Sequence, residues 1–196
     1  MTAARPDRIL ALATAAAATW RGDQDALRAA VLALRSAGEG RAVVEETLLQ
    51  CVLFCGFPRV VTAFATVNDA WPAAVPPSGG AVPPEEQPAA GRALFGAIYG
   101  ENAPAVEAML GGCHEDFRAF VVDVAYGRVL ARPGLPAIER ELLAAALLAA
   151  QEQPRQFVSH ALGALRMGAT RDGLRATLAA ALGGDAPATV WLQRLR

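Results

Sequence analysis

Aromatic residues make up only 6% of this 196-residue sequence, although 54% of it is hydrophobic. Alanine and leucine supply most of the apolar mass, and these are the side chains that helices accept at least cost. Long β-branched runs are missing too, and apolar residues recur at three and four positions rather than two. The pattern predicts an all-α protein. Cysteine is scarce: Cys51, Cys55 and Cys113 cannot all pair and form no CxxC, so no disulfide framework is expected and a reducing, cytoplasmic setting fits.

Charge of a single sign is lacking as well. The 18 basic and 19 acidic residues are interspersed, for a formal net charge of -1, which leaves no concentrated basic surface for nucleic acid. No apolar run approaches the roughly 18 residues of a membrane span. The segment ILALATAAAAT after Arg8 has the look of a leader's apolar core, but Asp7 and the alanine dilution predict a first helix instead. With only two histidines, one of them in the lone Cys113–His114 pair, no metal site is expected, and no motif asks for a cofactor.

What is present is punctuation between helices. A first helix is predicted from Pro6 to about Trp20, and a second from the N-cap Asp23 to Ala37, stopped by Gly38 and Gly40. A third runs from about Ala42 to Phe54 and ends at Gly56, with Pro58 opening a fourth. The stretch from Pro72 to Pro88 holds six prolines and reads as a linker. Further helices are predicted near 89–99, 103–110, 115–130, 136–150 and 154–167. Thr170 caps another to about Leu182, and Pro187 starts a short last one. LALRSAG at 32–38 echoes GALRMG at 163–168, which suggests two copies of one helical unit. The expected division is 1–71, a linker at 72–88, and 89–196.

The motifs YGRVLARPGL, RELLAAALLAA and HALGALRMGATRD, spread over about Tyr126 to Leu182, resemble the carboxymuconolactone decarboxylase superfamily, which includes the alkylhydroperoxidase D proteins. EETLLQCVLFCGFPRVVTAF, from Glu45 to Phe64, is similar to the helix pair that follows the family's His helix. The resemblance implies a helical bundle of two repeated units, a small-molecule substrate and a homo-oligomer. In the peroxidase branch a Glu works with a CxxCxxxH. The positions here are Glu141, Gln153, Gln156 and His160, so the thiols are absent and redox chemistry at that site is excluded. The decarboxylase branch keeps the His and the RPGL turn but usually lacks the Glu. In the first half the His position falls on Ala29 or Ala30, whereas Glu46, ten residues before GFP, fits the pattern and its second-half counterpart is Ala176.

Gln153, Gln156 and His160 share one helix face. Glu141 lies on the preceding helix, roughly 14 Å from the intervening turn against roughly 9 Å for His160, so a long side chain or one water is needed to join them. A carboxylate at that distance would orient the imidazole as a general acid or base. The reading is therefore a non-redox acid–base enzyme on a small carboxylate or lactone. His160 and Glu141 are its catalytic pair, and Gln153, Gln156, Arg132, Arg140 and Glu46 its substrate-binding candidates, an arginine being suited to a bidentate carboxylate contact. In a sharper version Glu46 faces His160. The alternatives are a peroxidase using Cys51 with Cys55, or Cys113, and a noncatalytic oligomeric or ligand-binding module. Without the resemblance, a core histidine satisfied by Glu141 is the simpler account.

Overall fold

The computed structural model of the chain describes residues 6–73 and 80–195, and no strand occurs among them. The order is α1 (Pro6–Arg21), α2 (Gln24–Ser36), α3 (Arg41–Ala70), α4 (Gln87–Tyr99), α5 (Ala103–Cys113) and α6 (Glu115–Ala119). A π-helical segment (Phe120–Leu130) follows, then α7 (Ala137–Ala150), α8 (Pro154–Arg166), α9 (Arg171–Leu182) and α10 (Asp185–Leu192). The all-α expectation holds, and the caps act as read: Asp23 accepts from the Ala26 amide and Thr170 from that of Gly173.

Gly56 (φ 72°, ψ 168°) leaves helical geometry, so α3 is two helices meeting at a kink with Pro58 just past it, as expected for the third and fourth helices. Taken through the kink, Arg41–Ala70 is long and apolar enough to cross a bilayer by length and composition, with a mean hydropathy of 1.7. That alone is weak evidence, since the helix also packs on α1, α2 and α7. One difference is physical. The single helix expected over 115–130 is instead α6 followed by the π segment. Residues 74–79 of the expected linker lie outside the described residues, and α4 begins at Gln87.

The chain forms two compact units, Met1–Ser78 with Gly134–Arg196, and Gly79–Pro133. This differs from the division expected at the proline-rich stretch, and α1 supplies the reason. Leu12, Ala13, Ala16 and Ala18 are fully enclosed, and α1 packs against α2, α3, α7 and α9 at once. A helix apolar on several faces needs cover from both ends of the sequence. α7 is buried continuously from Glu139 to Ala149. Each enclosed leucine, such as Leu27, Leu48, Leu147 and Leu174, contributes about 1.5–3 kcal/mol relative to exposure.

Within the first unit two helical hairpins repeat their bonding. In the α1–α2 turn the Gly22 amide donates to the Thr19 carbonyl (3.2 Å) and that of Asp23 to Ala18 (2.9 Å). In the α7–α8 turn Glu152 donates to Ala149 (3.1 Å) and Gln153 to Leu148 (2.9 Å). Gly22 has φ 73°, and Glu152, at φ 58°, is the described non-glycine residue with positive φ. The helices that follow end alike, with Gly38 bonded to Arg35 and Gly168 to Leu165, both at 3.1 Å. The spacing between corresponding residues is constant, which sets Ala11 opposite Glu141 and Ala30 opposite His160.

In the second unit α4 crosses the π segment at two glycines. A Cβ on Gly91 would stand 2.2 Å from the Val122 carbonyl oxygen, and one on Gly127 2.2 Å from that of Gln87. Phe95, Tyr99 and Tyr126 close the crossing, with centroids 4.5 Å apart for Phe95–Tyr99 and 5.0 Å for Phe95–Tyr126. Gly127→Ala is expected to force these backbones apart and cost about 1–3 kcal/mol, read as a lower denaturant midpoint. An unchanged midpoint would refute the close crossing.

Candidate active site

The site is built on the first turns of α7, where three consecutive charged residues are buried: Glu139 at 0% exposure, Arg140 at 1% and Glu141 at 1%. Successive helical residues point about 100° apart, so each meets a different neighbour. Glu139 pairs with Arg8 of α1. Arg140 Nη2 donates to Glu46 Oε2 of α3 at 2.7 Å. Glu141 Oε2 accepts from His160 Nδ1 of α8 at 3.0 Å. An ionised carboxylate can only accept, so its partner fixes the Nδ1–H tautomer and leaves Nε2 as the nitrogen available for proton transfer.

The contact between Glu141 and His160 is direct. The height difference expected along the two helices is closed by the side chains themselves. His160 keeps 12% of its side chain exposed, whereas Glu141 Oε1 is buried without a hydrogen-bond partner. Gln153 and Gln156 are exposed on the His160 face of α8, and the Gln153 amide donates to the Gln151 carbonyl at 3.1 Å.

α3 supplies the third wall through Glu46, Gln50 and Phe54, spaced at successive turns. The Gln50 amide donates to the Arg140 backbone carbonyl at 2.8 Å, and Arg140 Nη1 lies 3.4 Å from Gln50 Oε1. The Phe54 ring stands edge-on to His160 at 6.2 Å. Gln151 donates to the Phe54 carbonyl at 2.8 Å, fastening the α7–α8 turn to α3 just before the Gly56 kink. Gln50, Phe54 and Gln151 were not among the candidates. For Gln50 and Phe54 the signal was the four-residue spacing from Glu46, which marks one helix face but not what that face meets.

One expectation changes. Arg140 is not placed to hold a substrate carboxylate, because its guanidinium is enclosed and already meets the carboxylate of Glu46. Arg132 falls in the second unit, near its C-terminal end. His114 caps α6, its Nδ1 accepting from the Asp116 amide at 3.1 Å.

With this geometry in place, comparison with known families is informative. The model of the carboxymuconolactone decarboxylase family matches residues 115–191. This segment is similar to that family over less than half of the chain. It contains α7 and α8, and so both members of the Glu141–His160 pair; Glu46, Gln50 and Phe54 lie before it. No curated protein matches the chain.

On another face of α3, Cys51 is fully buried and Cys55 partly so. The Cys51 thiol donates to Cys55, which together with burial pushes Cys51 well above the ordinary thiol range. The same bond lowers Cys55, and the nearby Arg59 charge works in that direction against partial burial.

Arg140→Met leaves Glu46 as a buried carboxylate without this counter-ion, so it should cost about 3–5 kcal/mol in denaturant unfolding. Adding Glu46→Gln should recover a large part of that loss. A double variant no more stable than Arg140→Met would show that the two residues do not act as a pair.

Proposed function

We propose that the first unit is a non-redox acid–base enzyme acting on a small carboxylate or lactone, with His160 as proton donor or base and Glu141 as its orienting partner. The observation that carries this reading is the 3.0 Å Glu141–His160 contact in a ring left partly open to solvent. Decarboxylation and lactone chemistry both need a proton delivered to or taken from carbon or oxygen at a fixed position. An imidazole held by one nitrogen presents the other in a single orientation, which lowers the entropic part of that step. Gln156, with Gln153 beside it, supplies amide donors for a substrate oxygen. His160→Ala should lower turnover of any substrate found by about 10²- to 10⁴-fold, with Glu141→Gln less severe. Undiminished turnover in His160→Ala removes the assignment.

The repeated turn bonding supports a tandem of two related helical hairpins, α1–α2 and α7–α8, of which only the latter keeps the His–Glu pair. The homo-oligomer expected from the resemblance belongs to the same proposal.

A second reading rests on the hydrogen-bonded Cys51–Cys55 pair, in which Cys55 is the more readily ionised thiol. It makes the protein a thiol peroxidase that does not use α8. Under it, protein treated natively with hydrogen peroxide and then unfolded for thiol titration should show loss of Cys55 and Cys51 together. An unchanged thiol count dismisses it. Cys113, which is exposed, serves as the reactive control.

A further inference from the structure

We infer that the Glu46–Arg140 pair, seated against Gly134 of the RPGL turn, is the positioning device that keeps Glu141 on His160. Arg140 and Glu141 are adjacent on one helix, so any rotation or slide of α7 that carries Glu141 away from His160 also pulls Arg140 from Glu46. One residue of slip moves a side chain by about 100° and 1.5 Å, more than a hydrogen bond tolerates. Gln50 strengthens the coupling, because its 2.8 Å bond goes to the Arg140 backbone carbonyl and so holds the helix itself. Gly134 makes the arrangement possible: a Cβ there would stand 2.4 Å from Glu46 Cγ and 2.7 Å from Cδ. A side chain at position 134 would therefore push Glu46 from its place. The residues act through Glu141 and touch no reacting atom.

This inference rests on Glu141 and His160 being the proton-transfer pair, but it can be read without turnover. The full chain, labelled with ¹⁵N in its histidines, is observed in buffer alkaline enough that both imidazoles are neutral. His160 should show the Nδ1–H tautomer and His114, whose Nδ1 is an acceptor, the Nε2–H tautomer. Glu141→Ala defines the released state of His160. Gly134→Ala changes no charge and adds one methyl against Glu46, a flexible side chain able to yield. It should move the His160 nitrogen shifts most of the way to that released state while leaving His114 unchanged. Glu46→Ala should do the same. Glu46→Gln, which keeps the shape and an acceptor for Arg140, should restore the wild-type pattern.

A purely structural role would lower the unfolding midpoint of Gly134→Ala and leave the tautomer intact, and that result overturns the proposal. Where Gly134→Ala does not fold, Gln50→Leu cuts the backbone tie at similar volume and is read the same way. If the tautomer shifts as described but His160→Ala retains full turnover, the catalytic reading fails and the positioning relation stands.

Discussion

Three charges buried side by side on one helix govern the first unit. Burying Glu139, Arg140 and Glu141 without partners would be prohibitive, so α7 has one acceptable rotation: the one that brings each to its polar partner on α1, α3 and α8. The alanines and leucines that follow along α7 pack well in many registers, as small and uniform side chains do. The charges select one register among them. Stability comes mainly from the apolar contacts, and the ionic turn supplies specificity.

The same arrangement separates two kinds of pair. Glu46–Arg140 is enclosed and structural, with the guanidinium held between a carboxylate and an amide. Glu141–His160 is closed on the carboxylate side and open on the imidazole side. Adjacent residues of one helix thus present a sealed pair and an accessible one. A cleft between helices can host chemistry only if the surrounding frame does not shift when the reacting group changes charge.

Most helices were legible because their signals are local. Asp23, Thr170 and Pro154 mark starts, and the glycines at 38, 168 and 183 mark ends, through backbone geometry that needs no tertiary partner. The pairing of Glu141 with His160 was legible for a related reason, since a short turn between two helices fixes which faces meet. The partner of Arg140 was not legible because it lies far away on α3, and nothing near Arg140 in sequence distinguishes an enclosed arginine from one facing a substrate. The unit boundaries escaped for the same reason. The proline-rich stretch is conspicuous, yet the contacts that define the first unit bring α1 against α7 and α9.

Interleaving the two units along the chain imposes an order on synthesis. α1, α2 and α3 emerge while the helices that cover them are still untranslated, so Leu12, Leu27, Leu34 and Leu48 must wait with part of their cover missing. The intervening unit joins neighbours close in sequence and closes on local contacts. The first unit is completed only when α7–α9 arrive and pay the loop entropy of bridging that insertion. Nascent chains halted within α7 should therefore be the most dependent on chaperones, with apolar faces exposed in a partner-less α1–α3 layer.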